Sequence, residues 1–323
     1  MNAKVSFLPR AQSARRRVAI EPTGDGATFA FSPLLAGAYD SRSAALWLRW
    51  SPEGVPCFSL DLLKDLERAS RAVEAYFSGR QKARPLQYVV LQSGTTGAFS
   101  VGGDLRYFHE LIVAKDQGRL SEYARTAVHV AYNNYVAHNL RGVTTFALLE
   151  GDALGGGFEC ALSCDVIVAE DHVKAGFPEI LFNMFPGMGG MSFLARRVDR
   201  AVAREMVRSG RQYTASELHE VGAVDHVVRR GGGRDAVERI VTDRKHLAAG
   251  HAAVNAAERL IRPITRQELL DVATLWVDCA MQLPERGLNW MQRLSSRQRQ
   301  VFGNDPDVGN GQADRTVATA ATA

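Results

Sequence analysis

The sequence predicts an α/β protein in which parallel strands are joined by crossover helices, followed by a C-terminal helical region. Short apolar runs with strand character alternate with segments whose apolar residues recur at helical spacing. From about residue 192 onward the pattern is mainly helical, and no repeat of solenoid length appears. Alternation of this kind favours parallel strands with helical crossovers.

The first strand–helix–strand unit is predicted between residues 44 and 91. Residues Ala44–Trp50 alternate like a strand, Leu60–Phe77 repeat at helical spacing, and Tyr88–Leu91 form a short buried-strand run. The pattern then recurs as a helix, a strand, a helix and a strand over Leu120–Leu140, Val143–Leu149, Phe158–Ser163 and Val166–Ala169. Five helical segments follow, at Ser192–Val198, Arg200–Ser209, Ala215–Val221, Arg234–His251 and Glu268–Arg299.

The chain divides by composition into four parts. We predict a flexible basic arm over residues 1–17, an α/β core over 18–210, and a helical region over 211–302. Residues 303–323 are rich in Gly, Asn, Asp, Ala and Thr without apolar periodicity, which predicts a disordered tail.

Composition excludes several classes of protein. The 323 residues are 46% apolar and 23% charged, which is ordinary for a soluble protein. A net charge of +4 is too small to indicate nucleic-acid binding. No uninterrupted apolar run reaches the roughly 18 residues of a membrane span, so no membrane insertion is expected. Four cysteines without a CxxC pair favour a reducing cytosol, and we predict a cytoplasmic protein.

The most informative segment is Gly151–Glu159, with Glu179 twenty positions after Glu159. Three consecutive glycines at 155–157 precede a predicted helix, where their backbone can approach a ligand closely. Free amides at such a helix start stabilise an anionic oxygen. Alone, Glu159 could equally be a carboxylate favoured by the helix dipole; its pairing with Glu179 favours chemistry.

Three motifs in order carry a family resemblance: Gly97–Leu105, Glu150–Asp165 and Phe177–Gly190. Together they resemble the crotonase (enoyl-CoA hydratase/isomerase) superfamily across roughly residues 40 to 300. Within it, the Phe177–Gly189 run, the Tyr123–Gly142 helix and Leu275–Leu283 look most like the diffusible signal factor synthases. The resemblance implies a core that is a spiral of ββα units.

The resemblance also implies the roles of the site residues. The amides of Gly103 and Gly156 would form an oxyanion hole for a thioester carbonyl oxygen, which becomes negative when C2 loses a proton. By analogy with the hydratases, Glu179 would mainly handle the C2 proton and Glu159 the hydroxyl or water, although the roles could be mixed. The amide of Gly187 would hold water or position Glu179.

A cis product requires a bent acyl chain, so the resemblance implies an apolar, curved pocket beyond the glutamates. The predicted lining residues are Phe158, Phe182, Met184, Met188, Trp276 and Met281. The alternative is ordinary core packing, which is the usual role of aromatic and Met residues at helical spacing.

The predicted function is that of a diffusible signal factor synthase. Such an enzyme is a carbon–oxygen lyase that dehydrates a 3-hydroxyacyl chain on acyl carrier protein to the cis-2-enoyl form, and a thioesterase that releases the unsaturated acid. The first alternative is a trans-2-enoyl-CoA hydratase or isomerase of fatty acid metabolism. The second, of another class, is a regulatory protein that binds a sensor partner in a signalling system.

The expected substrate carrier is acyl carrier protein or CoA. Arg200, Arg204 and Arg208 repeat every four residues and would form a basic dock for an acidic carrier, unless they are only a solvated helix face. Residues 54–60 lack the asparagine common at this point in CoA hydratases, which puts CoA handling in doubt. Crotonase relatives assemble as trimers, often paired into hexamers, and Glu268–Arg299 could cover a neighbouring subunit.

Other residues are given structural roles. Asp104 is predicted to cap the helix that begins near Leu105. Cys160 and Cys164 are expected to be small core residues. Because His109, His129 and His138 lack the spacing of a zinc motif, we expect no metal, and no other cofactor is implied.

Overall fold

The computed structural model describes residues 18–79, 85–243 and 245–303. The predicted basic arm over residues 1–17 lies outside them, as does all but the first residue of the predicted tail. Twelve strands are described: β1 (Ala19–Thr23), β2 (Gly26–Ser32), β3 (Leu35–Asp40), β4 (Ala45–Trp50), β5 (Tyr88–Ser93), β6 (Gly97–Ser100), β7 (Thr144–Leu149), β8 (Gly151–Leu154), β9 (Val166–Glu170), β10 (Lys174–Gly176), β11 (Gln212–Thr214) and β12 (His226–Val228).

Most of the described α-helices lie where the sequence pattern predicts them, but the helix predicted over Arg234–His251 is wrong, because one helix ends at Asp243 and another begins at Ala248. The described helices are α1 (Leu60–Ser78), α2 (Leu105–Val113), α3 (Gln117–Tyr135), α4 (Gly156–Leu162), α5 (Gly190–Arg197), α6 (Arg200–Ser209), α7 (Ala215–Glu220), α8 (Gly233–Asp243), α9 (Ala248–Ile261), α10 (Arg266–Met281) and α11 (Glu285–Phe302). Short 3-10 helices lie at Ala137–Asn139, Pro178–Phe182 and Lys245–Leu247. None of the described helices is both long enough and apolar enough to cross a membrane.

Two sheets form the framework. The larger has the order β1-β2-β3-β4-β5-β7-β9-β12, and the smaller has the order β11-β10-β8-β6. Strands β1 to β4 pair antiparallel, whereas β4, β5, β7, β9 and β12 pair in parallel. Successive strands alternate between the sheets, with β5 then β6, β7 then β8, and β9 then β10. Each pair followed by a helix makes one turn of a spiral.

Helix α1 shows how the local sequence fixes one of these turns. Ser59 caps it by accepting the backbone N–H of Leu62 at 3.2 Å, so one unpaired donor of the first turn is satisfied. Buried residues recur at helical spacing along one face, at Leu62, Leu66, Ala69, Val73 and Phe77. That face packs on the sheet and on α3, within one continuous apolar core.

The structure differs from the predicted elements where a turn sets the end of a helix. The helix predicted over Leu120–Leu140 ends at Tyr135, and Ala137, His138 and Asn139 then all have positive φ. The segment Glu268–Arg299 is two helices, because Pro284 cannot donate the N–H that a continuous helix would need there. Strands β1 to β3 were not predicted.

The region over residues 211–302 is mainly helical, but it also supplies β11 and β12, one to each sheet. The framework that positions the site therefore extends beyond residue 210. Helix α10 packs on α3 and α11 packs on α2 of the same chain. The C-terminal helices thus cover the core of their own subunit.

Candidate active site

Glu159 lies in the first turn of α4, immediately after the glycine turn. It is 2% exposed, and its Oε1 accepts the backbone N–H groups of Met188 and Gly190 at 2.7 Å each. Burial raises the pKa of the Glu159 carboxyl to about 7, against the lowering effect of hydrogen bonds from Gly190, Met188 and Gly189. The backbone amides of Met188 and Gly190 therefore stabilise the ionised form of Glu159.

Glu179 lies on the 3-10 helix Pro178–Phe182. The residue is half-buried as a whole, but its Oε2 atom is shielded from solvent and has no hydrogen-bond partner among the described residues. Burial first, and then the nearby negative charge of Glu159, raise the pKa of the Glu179 carboxyl well above its usual range. The first proton to leave this pair therefore comes from Glu159.

This order of ionisation bears on the division of roles. With Glu159 ionised and Glu179 neutral, Glu159 is ready to accept a proton and Glu179 to donate one. In the hydration direction this agrees with the predicted roles, in which Glu159 would take a proton from water and Glu179 would deliver one to C2. A dehydratase that starts from the same resting state would need the substrate in the opposite orientation, with Glu159 as the base at C2 and Glu179 as the acid at the C3 hydroxyl.

The backbone amides of Gly103 and Gly156 lie side by side. A Cβ atom on Gly156 would lie 3.5 Å from Gly103 N, and one on Gly102 would lie 3.3 Å from Gly156 N. Neither amide donates to an acceptor within the part of the chain that the structure describes. Two unused N–H groups at the wall of one cavity are the arrangement that stabilises an oxyanion.

Gly155 brings the glutamates and the amides together. Its φ is +52°, a region that side chains disfavour, and a Cβ there would lie 2.4 Å from Glu179 Oε1. Its N–H donates to Gly176 O at 2.9 Å, which fixes the turn to β10. The Glu179 carboxyl thus packs directly on the Cα of Gly155, one residue before the Gly156 amide.

A cavity of about 880 Å³, including its open mouth, contains both glutamates and both glycines. Of the predicted pocket residues, Gly187, Trp276, Phe182 and Met188 line it. The Trp276 ring lies so close to Gly187 that a Cβ at 187 would come within 2.4 Å of it. Apart from the carboxyls and a few polar groups, the lining is aliphatic and aromatic, as an acyl chain requires.

Three predicted lining residues lie elsewhere. Phe158 is fully buried and packs on Phe177 with ring centroids 5.3 Å apart, because neighbouring residues on a helix point about 100° apart. Met184 and Met281 are also absent from the cavity wall. Phe158 and Met184 are core residues, which is the alternative weighed for them.

Several cavity residues were not singled out from the sequence. Phe108, Tyr123, Gln212 and Gln298 all line it. The Tyr123 hydroxyl donates to Phe58 O at 2.5 Å, so it joins α3 to the segment beside Gly103. Tyr123 stands at the start of a resembling motif, which is a signal that could have identified it. Gln212 and Gln298 have no local sequence signal.

Two other predictions can be compared with the structure. Asp104 Oδ1 accepts the N–H of Tyr107 at 3.0 Å, which confirms it as the cap of α2. Arg200, Arg204 and Arg208 are exposed on α6, and none has an ion-pair partner among the described residues. The neighbouring arginines 196, 197 and 211 are each paired with a carboxylate.

Comparisons with known proteins agree on the family to which this chain is similar. A family profile described as enoyl-CoA hydratase/isomerase matches residues 72–270, more than half of the chain. Mitochondrial methylglutaconyl-CoA hydratase of Rattus norvegicus is 31% identical over 210 residues, which cover 64% of this chain and 62% of that protein. The chain thus spans less than two thirds of the length of that relative.

Solved structures confirm the fold. Enoyl-CoA hydratase from Bacillus halodurans matches with a TM-score of 0.65 at 19% identity, over 85% of this chain and 99% of that one. DspI of Pseudomonas aeruginosa matches with a TM-score of 0.57 at 21% identity, over 83% and 88%. The predicted crotonase-like α/β fold with a C-terminal helical region is confirmed. The chain belongs to the enoyl-CoA hydratase/isomerase family, a part of the crotonase superfamily.

Proposed function

We propose that this protein adds water to, or removes it from, the C2–C3 bond of an acyl thioester. The observation that supports this most is the meeting of two carboxyls and two unused amides in one apolar cavity. The thioester oxygen would accept the N–H groups of Gly103 and Gly156. C2 and C3 would then lie between Glu159 and Glu179.

In the hydration direction the steps use the resting charges. Glu159 accepts a proton from water as its oxygen bonds to C3, and the electron pair of the double bond moves to C2 and the carbonyl oxygen. The two amides hold the resulting negative charge, worth roughly 3–4 kcal/mol per donor. Glu179 then delivers its proton to C2. Dehydration is the reverse of these steps, starting with Glu159 protonated and Glu179 ionised.

The test is an assay of purified protein with matched 2-enoyl and 3-hydroxyacyl thioesters on CoA and on acyl carrier protein. The proposal predicts that the two forms interconvert on at least one carrier. Mass analysis of the thioesters measures this interconversion. Absence of interconversion on both carriers at several chain lengths would contradict it.

The pH dependence of kcat/KM should be bell-shaped. The active form has Glu159 ionised and Glu179 protonated, so activity rises as Glu159 loses its proton, with a midpoint near its pKa of about 7. Activity falls at higher pH when Glu179 loses its proton, since its pKa is raised further. Both limbs belong to the coupled pair. A rise centred near the ordinary glutamate pKa of about 4.3 would show that burial does not govern the site.

A second candidate is the signal factor synthase reaction, in which dehydration on acyl carrier protein to the cis-2-enoyl form is followed by hydrolysis to the free acid. Two observations favour it: a mostly apolar cavity that is lined in part by α10 and α11, and an uncommitted acceptor in the same cavity as Glu179, Gln212 Oε1. Mass analysis of the acid released from 3-hydroxyacyl carrier protein separates the candidates. Free cis acid supports this one, and reversible trans hydration of CoA esters supports the hydratase alternative.

The α6 arginines provide a test of the carrier. If Arg200, Arg204 and Arg208 dock an acidic carrier protein, Arg204→Glu should raise KM for the carrier-bound substrate about 10-fold, with kcat unchanged. A small pantetheine thioester should be turned over normally. Arg141→Glu, at another exposed arginine, is the control. Equal effects of the two changes would assign α6 to an ordinary solvated face.

We also propose a homo-oligomer, a trimer or hexamer. Helix α9 exposes Val254, Leu260 and Ile261, at 57%, 82% and 76% of their surface, and apolar side chains exposed together mark an interaction surface. Light scattering on the eluting protein would measure the mass, and a monomer would contradict the proposal. The regulatory alternative, binding of a sensor protein, is tested by whether such binding survives loss of both glutamates.

A further inference from the structure

Gln212 reaches the cavity that contains Glu179 because of the strand register of the smaller sheet. Gln212 of β11 pairs with Gly176 of β10, and Gly176 pairs with Leu154 of β8. The next residue, Gly155, is the one on which the Glu179 carboxyl packs. Gln212 and Glu179 both line the catalytic cavity. The strand register therefore places Gln212 on the wall of the cavity that also contains the second glutamate.

Two acceptors in this cavity have no partner in the described part of the chain. They are Glu179 Oε2 and Gln212 Oε1, and both atoms are shielded from bulk solvent. Buried polar atoms in folded proteins are almost always hydrogen-bonded, to protein or to ordered water. A group with two hydrogens can serve two acceptors at once, and water is the smallest such group.

We propose that Gln212 is a positioning residue that holds, together with Glu179, the water molecule that hydrolyses the acyl thioester. The proposal rests on the second candidate function and adds to it the residue that decides between elimination and hydrolysis. Other polar side chains of the cavity are committed elsewhere. Tyr123 donates to Phe58 O, and Gln298 Nε2 donates to Val101 O at 3.4 Å.

The position favours attack at the carbonyl carbon over attack at C3. Gly155 lies directly before Gly156, whose amide would hold the thioester oxygen. Water held by the Glu179 carboxyl, which packs on Gly155, would therefore lie toward the carbon that bears that oxygen. Glu159, whose Oε1 accepts two backbone amides, is left to serve C2.

The step balances with the groups present. In the orientation in which Glu159 is the base at C2, Glu179 protonates the departing C3 hydroxyl, so it is left ionised and able to act as a base. The water oxygen bonds to the carbonyl carbon, its proton passes to Glu179, and the carbonyl electron pair moves to the oxygen held by Gly103 and Gly156. The oxyanion collapses, the C–S bond breaks, and the thiolate takes the proton from Glu179. One thioester and one water give one acid and one thiol.

Gln212→Leu tests the proposal, because leucine is of similar size and cannot hold water. One 3-hydroxyacyl carrier substrate is incubated with the full-length protein, and the enoyl thioester and the free acid are both followed by mass spectrometry. Acid release should fall roughly 10- to 100-fold, as for a misplaced reactant, while enoyl thioester formation changes less than about 3-fold. The enoyl thioester then accumulates. Gln212→Asn, which retains the amide, should restore part of the hydrolysis.

Gln298→Leu is the matched control, since Gln298 is the other glutamine of the cavity wall and its amide is already bonded. It should leave the ratio of acid to enoyl thioester unchanged. Equal loss of both activities in Gln212→Leu, or a greater loss of dehydration, would overturn the proposal. If the unaltered protein dehydrates the substrate but releases no acid, both the synthase candidate and the role of Gln212 are rejected. If the ratio of acid to enoyl thioester is unchanged in Gln212→Leu, only the role of Gln212 is rejected.

Discussion

Replacing Glu159 or Glu179 by glutamine is expected to slow hydration and dehydration by about 10²- to 10⁴-fold each, the usual contribution of a general acid or base. Glutamine keeps the shape and still offers an oxygen to the N–H groups of Met188 and Gly190, so Glu159→Gln should fold normally. Steady-state kinetics with an enoyl thioester measures the loss in kcat. The double variant should be scarcely slower than either single variant, because the two groups act as a unit.

The control for this experiment is ligand binding. Both variants should still bind a saturated acyl thioester, since the amides of Gly103 and Gly156 are untouched. Full activity in either variant would remove that glutamate from the chemistry. Loss of thermal stability in parallel with activity would assign the effect to packing.

Gly155→Ala is expected to lower kcat about 100-fold, because displacing a reacting group by about 1 Å has an effect of that size. The added Cβ would lie 2.4 Å from Glu179 Oε1, so the carboxyl must move away from the substrate. The positive φ of 52° adds a strain of about 1–2 kcal/mol to the folded state. Kinetics and thermal unfolding together separate the two effects.

Gly97→Ala is the matched control for that strain. Gly97 also has positive φ, at +83°, but a Cβ there would meet nothing within 4 Å. It should reduce stability by a similar amount and leave kcat nearly unchanged. If Gly97→Ala and Gly155→Ala lower kcat equally, the contact with Glu179 is not what the glycine at 155 protects.

The order of elements was predictable where the apolar period is strong. Helix α1 and strands β4, β5, β7 and β9 lie close to their predicted ranges, because each buries a regular face. Of the antiparallel strands that were not predicted, β1 is mostly exposed and shows no apolar alternation, whereas β2 and β3 alternate buried and exposed residues and were readable from the sequence. The break at Pro284 was readable from the sequence but was overlooked in a long helical pattern.

The part of the site that lies within the sequence motifs was predictable. The four residues Gly103, Gly156, Glu159 and Glu179 were placed by resemblance, and the structure brings them to one cavity. Gln212 could not be found this way, because its place depends on the register of β11 against β10. The order in which the two carboxyls ionise depends on burial and on the Met188 and Gly190 amides, which sequence spacing does not reveal.

The most direct test of the site is hydrogen exchange at C2 of a saturated acyl thioester in D₂O, followed by mass spectrometry. This substrate can neither lose water nor gain it, so only deprotonation beside a stabilised carbonyl oxygen is measured. The arrangement of Gly103, Gly156, Glu159 and Glu179 predicts deuterium uptake at C2 that is lost in the double glutamine variant. No uptake by the unaltered protein, or uptake that survives loss of both glutamates, would contradict it.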